Sequence, residues 1–162
     1  MDQDDGRLMR SRLGQVALIA VALTLGACSR PKVGGLSADA LDQAIGVAIG
    51  DPATCVVLAQ RATRKIVYRY GDLFNCQRGL PACDRPGALS AQGALALADT
   101  AQGRAASCPS NADGSSTVGW AQGRVGSARR DLIYSAVMEG QRALPGQEIS
   151  ARLTDAFQRA GV

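Results

Sequence analysis

The sequence predicts an α+β domain, disulfide-stabilised, in which N- and C-terminal helices pack on a small antiparallel β-sheet made of two hairpins. First, apolar residues recur at helical spacing in residues 36–50 and again in residues 148–160. Second, two pairs of β-like runs lie between these segments. Third, four cysteines lie between positions 55 and 108, an even number that suits two disulfide bonds. A sheet that offers one face to two helices is a stable layered arrangement.

Three segments have helical patterns. In the first, Leu36–Gly50, Ser37 is a good N-cap, and an apolar stripe follows it. The last, Glu148–Ala160, is amphipathic and is followed by a glycine. The segment between them, Leu89–Ala105, is also helix-like, with Ser90 as its cap.

The first pair of β-like runs predicts a hairpin. Cys55–Gln60 is a continuous apolar run, which indicates a strand covered on both faces. Ile66–Tyr70 alternates between two faces, and the charged residues of Arg61–Lys65 form a short solvated turn between the runs.

The second pair of β-like runs is Thr117–Val125 and Leu132–Met138, which we interpret as a second antiparallel hairpin. A helix over residues 129–139 is the competing prediction. Residues 107–116 are rich in Ser, Pro, Asn, Asp and Gly, and this composition predicts a loop.

Composition excludes several kinds of site. The chain has no histidine, so it contains neither a Ser-His-Asp nor a Cys-His nucleophile and no histidine-containing metal site. Its net charge is only +4, and no basic run is interleaved with aromatic residues, which argues against nucleic-acid binding. We therefore expect neither a cofactor nor a metal ion.

The first 28 residues have the layout of an export signal. Arg7, Arg10 and Arg12 precede the ten-residue apolar stretch Val16–Leu25, which is too short to span a bilayer as a helix. Leu-Gly-Ala-Cys follows and resembles the lipobox of bacterial lipoproteins, which implies lipidation of Cys28. By this resemblance, residues 1–28 are a signal peptide and residues 29–35 are then a tether. The remaining residues, 36–162, are enough for a single domain. A lipid anchor would then hold the domain at the membrane, at the periplasmic face of the outer membrane by the enterobacterial sorting rule.

The remaining cysteines predict two disulfide bonds. Cys55, Cys76, Cys83 and Cys108 permit three pairings, and an oxidising compartment makes disulfides a better explanation for them than a metal site. We favour Cys76–Cys83, which closes a loop that contains a proline. The other bond, Cys55–Cys108, would then tie the first hairpin to the later half of the domain.

Residues 54–83 resemble the opening of class D β-lactamases and the related penicillin-recognising transpeptidases. The matching residues are Cys55, Tyr68, Arg69, Tyr70, Gly71, Cys76, Pro81 and Cys83. Gly119-Trp120 with Gly123 is similar to the GWxxG strand of that family, and residues 132–138 and 148–162 are similar to its next strand and closing helix. The resemblance implies a sheet that brings the first and last segments together, with both terminal helices on one face.

The catalytic motifs of that family are absent. Its S-x-x-K motif supplies a serine nucleophile and, one helical turn later, a lysine base. The motif should follow Cys83, but this chain has Asp84-Arg85-Pro86-Gly87 there. No lysine precedes Gly119 in the place of the K-T-G motif, and the chain's lysines are Lys32 and Lys65. We therefore expect no catalytic residues and no enzymatic activity.

Three hypotheses follow for the function. The first is a non-catalytic envelope lipoprotein whose degenerate β-lactamase-like domain has a binding or structural role. Its partner would be an envelope protein or peptidoglycan, which the sequence does not identify. The second is a small-ligand or partner-binding module of the profilin or roadblock type, which the order of helices and hairpins also fits. The third is an atypical serine acylase that uses Ser90 or Ser135, for which the sequence offers no base.

Overall fold

A computed structural model describes residues 32, 33, 35–99, 103–126 and 131–161. The strands are β1 (Lys32–Val33), β2 (Leu36–Ser37), β3 (Thr54–Gln60), β4 (Ile66–Tyr70), β5 (Leu80–Pro81), β6 (Ala88–Leu89), β7 (Arg104–Pro109), β8 (Thr117–Val125) and β9 (Leu132–Gly140). The helices are α1 (Ala38–Ile49), α2 (Leu73–Gln77), α3 (Ala91–Ala94) and α4 (Gly146–Arg159), and a 3-10 turn, Leu95–Leu97, continues α3.

Five strands form one antiparallel sheet in the order β4-β3-β9-β8-β7. The α+β class is thus confirmed, and both predicted hairpins are present. Strand β3 lies between β4 and β9, and every residue from Thr54 to Ala59 is buried, which accounts for the continuous apolar run. The competing helix over residues 129–139 is wrong for its described part, because β9 pairs along its whole length with β8.

The fifth strand, β7, corrects two predictions. In its described part, the predicted helix Leu89–Ala105 is helical only from Ala91 to Leu97, and the predicted loop 107–116 begins with the last residues of a strand. The alanines of this segment suit a helix, but Gly103 adopts a left-handed φ of 67°, and the chain then extends beside β8. Tertiary pairing here overrides local propensity.

One face of the sheet, the first face, carries the two terminal helices. Ser37 caps α1 as predicted, its side chain accepting a hydrogen bond from the Ala40 amide at 3.2 Å. The apolar stripes of α1 and α4 are buried against the sheet; their fully or nearly fully buried members are Leu41, Ile45, Ile49, Ile149, Leu153 and Phe157. Arg152 of α4 donates to the Ala48 carbonyl at the end of α1 at 3.2 Å, which fastens the helices together.

The opposite face, the second face, is covered by the short helices α2 and α3 and the 3-10 turn. The buried side chains of these segments are mostly small; they are Cys76, Ala91, Ala94, Leu95 and Ala98. Trp120 of β8 supplies the bulk of this second core, and its indole N–H donates to the Pro81 carbonyl at 2.7 Å. The bond fixes the segment that leads into the region after Cys83.

Two disulfides hold the second layer to the sheet, but in a different pairing from the predicted one. Cys55 is bonded to Cys76, which ties β3 to α2, and Cys83 is bonded to Cys108, which ties the loop after β5 to the edge strand β7. The predicted pairs Cys76–Cys83 and Cys55–Cys108 are therefore wrong, whereas the prediction of two bonds is confirmed.

The sheet order explains the pairing. Strands β9 and β8 lie between β3 and β7, so three interstrand spacings of about 4.8 Å separate the strands that carry Cys55 and Cys108. That distance of about 14 Å is twice what a disulfide can bridge between Cα atoms.

Candidate functional site

The loop after Cys83 is where the resemblance implies a nucleophile, and it carries an ion-pair cluster instead. The Asp84 carboxylate accepts a hydrogen bond from Arg85 Nε at 3.0 Å and a second from Arg104 of β7. The bond from Arg85, together with that from Arg104, holds the pKa of the Asp84 carboxyl below its ordinary value. Asp84 is therefore ionised at neutral pH and joins the loop to the edge strand, beside the Cys83–Cys108 bond.

Ser90 caps α3, as its position in the sequence predicts. Its hydroxyl oxygen accepts a hydrogen bond from the Gly93 amide at 3.0 Å. Gly93 is also the residue one helical turn after Ser90, where an S-x-x-K motif would place its lysine. The Ser90 hydroxyl therefore has a backbone partner at this position, and no described side chain is bonded to it that could take its proton.

Ser135, the other candidate nucleophile, lies in the middle of β9. Its side chain is fully buried, and its hydroxyl has no hydrogen-bond partner among the described residues. It pairs across the sheet with Val57 on one side and Gln122 on the other. No substrate can reach a hydroxyl at this depth, which leaves Ser135 without the access that covalent catalysis requires.

The Gly119-Trp120 motif has a packing reason in this structure. A Cβ on Gly119 would lie 2.1 Å from the Leu144 carbonyl oxygen and 2.9 Å from Ile149 Cδ1, in the loop before α4 and its first turn. Only glycine permits this approach of α4 to β8. The motif thus serves both faces of the sheet, since Trp120 fills the core on the other side.

A second ion-pair cluster lies at the end of the sheet where β3 meets its turn. Asp99 accepts from Arg61 at 3.4 Å and from Arg64 at 3.1 Å, and Arg61 also pairs with Asp131 at 2.5 Å. Arg124, at the end of β8, lies 3.7 Å from Asp99. The Arg61 and Arg64 side chains are solvent-exposed between β3 and β4, as predicted, and both also contact carboxylates from distant segments, which the sequence did not indicate.

A cleft of about 440 Å³ opens beside this cluster, between the edge strand β4 and the α3 segment. Its lining combines one guanidinium, one amide and apolar groups; the residues are Arg64, Ile66, Gln92, Gly93, Leu95 and Ala96. No single sequence motif predicts this cleft, because its two walls, β4 and the α3 segment, are distant in the sequence and become neighbours only in the folded domain.

A third polar cluster joins α2 to the sheet. Glu139 of β9 accepts from Arg78 at 2.9 Å and from the Ser110 hydroxyl at 2.8 Å. The Arg78 Nε atom is buried and has no partner among the described residues. This cluster fastens the chain after α2 over the end of β9.

Cys28 and the rest of the export signal lie outside the described residues. Within the described ranges, no group of three or more His, Cys, Asp or Glu side chains is placed to hold a metal ion. No helix in those same ranges has the length and apolar character needed to cross a membrane. No protein-family model, no curated protein and no solved structure matches the chain.

Proposed function

We propose that this chain is a non-catalytic cell-envelope lipoprotein whose domain is a shortened relative of the penicillin-recognising fold, kept for binding or structure. The observation that carries this proposal is the environment of Ser90. The hydroxyl accepts a backbone hydrogen bond as the cap of α3, and the residue one turn later is Gly93.

Acylation of a serine needs a base that removes the hydroxyl proton, and loss of such a base typically costs about 10²–10⁴-fold in rate. Lys65 is exposed in the turn between β3 and β4, and Asp84 is paired with Arg85 and Arg104. Neither contacts the Ser90 hydroxyl. The third hypothesis, a serine acylase, therefore has neither a positioned base nor an accessible second serine.

The fold supports the relationship that the motifs imply. Strand β3 pairs with β9, so the first and last strands of the sheet are neighbours, and α1 and α4 lie together on one face. This is the arrangement that the resemblance implies. A profilin- or roadblock-like module is the second candidate, and the cleft beside Arg64 is the observation that favours a ligand-binding role.

The proposal is tested by incubating the purified full chain with a fluorescent penicillin and then with a chromogenic cephalosporin. We expect no label that survives denaturation and no hydrolysis above the buffer rate. Ser90→Ala is the matched variant, and it should behave like the unaltered chain in both assays. A stoichiometric covalent label that Ser90→Ala abolishes would overturn the proposal and establish the acylase hypothesis.

A further inference from the structure

The cleft between β4 and α3 has the size and the mixed lining of a small-molecule site. Its volume of about 440 Å³ lies within the range usual for ligand pockets. Ile66, Leu95 and Ala96 give it apolar walls, while Gln92 and Arg64 add an amide and a positive charge. Such a lining suits a ligand that is apolar at one end and anionic at the other.

The Arg64 guanidinium is held in place before any ligand arrives. Its Nη1 donates to the Leu95 carbonyl at 2.8 Å, and its Nη2 donates to Asp99 at 3.1 Å. Two of its five N–H donors serve these bonds, and the remaining donors are available to a further acceptor. A guanidinium fixed in this way binds a planar carboxylate with little additional loss of side-chain entropy.

The charges around the cleft favour an anion. Arg61, Arg64 and Arg124 pair with the carboxylates of Asp99 and Asp131, so among the described residues the cluster holds three cations against two anions. Lys65, which follows Arg64 in the turn, adds a further exposed cation. The excess positive charge attracts a negatively charged group to the rim of an otherwise apolar cleft.

We propose that this cleft binds an amphipathic carboxylate, with the carboxylate on Arg64 and a short aliphatic chain on Ile66, Leu95 and Ala96. The inference builds on the proposed binding role by naming a ligand class, but it is tested separately from it. The β-lactam assays measure acylation and hydrolysis, whereas binding in this cleft involves no covalent step. The outcome of those assays is therefore independent of whether the cleft binds a carboxylate.

The test is a titration of the ¹⁵N-labelled full chain with sodium hexanoate, followed by amide chemical shifts. Hexanol, which has the chain without the charge, and acetate, which has the charge without the chain, are the comparison probes. Hexanoate should saturate, with the largest shifts at residues 64–66 and 92–96, and it should bind about tenfold more tightly than either comparison probe.

Arg64→Gln should remove this preference, so that hexanoate and hexanol bind equally weakly. Arg69→Gln is the matched control, since Arg69 is an exposed cation on β4, the strand that follows the turn with Arg64, and does not line the cleft. Shifts spread over the whole domain, a preference for hexanoate that survives Arg64→Gln, or equal loss in Arg69→Gln would each overturn the proposal. A folded Arg64→Gln domain is verified from its spectrum before the titration.

Discussion

Mild reduction of the folded protein should open the Cys83–Cys108 bond before the Cys55–Cys76 bond. Cys55 of β3 and Cys76 of α2 are 0% and 1% exposed, because their bond lies between the helix and the sheet. A thiol reagent therefore cannot reach this bond in the native state. Cys83 and Cys108 are both partly exposed at the sheet edge. Because exchange requires a thiolate to contact a disulfide sulfur, access should set the order of reduction.

Chain entropy does not set that order. The bonds close loops with sequence separations of 21 and 25 residues, from which the loop-closure relation gives about 3.3 and about 3.5 kcal/mol of stabilisation. The two values are nearly equal. Replacing Cys83 and Cys108 together by alanine should therefore lower the free energy of unfolding by about 3.5 kcal/mol and the melting temperature by roughly 10 °C.

The order of reduction can be measured by a time course in dithiothreitol, with alkylation of the free thiols and peptide mapping. Tryptic cleavage after Arg69, Arg78 and Arg104 places the four cysteines in four separate peptides. Alkylation should appear first in the Cys83 and Cys108 peptides while the other two remain linked. Simultaneous release of both bonds, or earlier labelling of Cys55, would show that exposure does not control this chemistry.

Three further outcomes are expected. Gly119→Ala should destabilise the domain by about 2–3 kcal/mol, because the added Cβ would lie 2.1 Å from a backbone carbonyl oxygen. Gly93→Ala on the exposed side of α3 is the control: the nearest atom to its Cβ would be Ser90 Oγ at 3.3 Å, so the free energy of unfolding should change by less than about 1 kcal/mol. Equal destabilisation by the two variants would contradict the packing argument. The pKa of Tyr68 is raised by burial and by its hydrogen bond to Asp42 at 2.6 Å, so the stability it provides is complete below pH 10 and is lost as pH rises further. Urea unfolding between pH 8 and pH 11 should thus show a shallower alkaline decline for Tyr68→Phe, and identical declines would refute the assignment. Mass spectrometry of the membrane-extracted protein should find an acylated N-terminal Cys28. The variant Cys28→Ser should leave an unprocessed precursor or release the chain from the membrane. A Cys28→Ser protein that is still processed and still membrane-bound would rule out lipidation.

The elements that the sequence predicted correctly are those whose signals are local. Helix α1 has an N-cap and an apolar stripe, and β3 is an unbroken apolar run that the structure buries on both faces. Strand β7 was missed because its residues are mostly small and show no β-like pattern, and only its pairing with β8 makes it a strand.

The candidate site was less accessible to sequence reasoning. The capping role of Ser90 was predicted because it depends on neighbours within one turn. The disulfide pairing depends on which strands are adjacent in the sheet, and the Arg64 cleft depends on Asp99 and Leu95, about 30 residues further along the chain. Such contacts are decided by topology, for which a single sequence carries little information.

The position of β3 between β4 and β9 has a consequence for the order in which the domain folds and forms its disulfide bonds. The first hairpin exposes the inner edge of β3 until residues 132–140 arrive to pair with it. The sheet therefore cannot close before these residues are available, and because its contacts are dominated by partners distant in sequence, we expect folding to be slow. All four bonded cysteines precede β9 in the chain, so in a chain exported unfolded, as its signal predicts, both disulfide pairs are available for oxidation before the sheet can close.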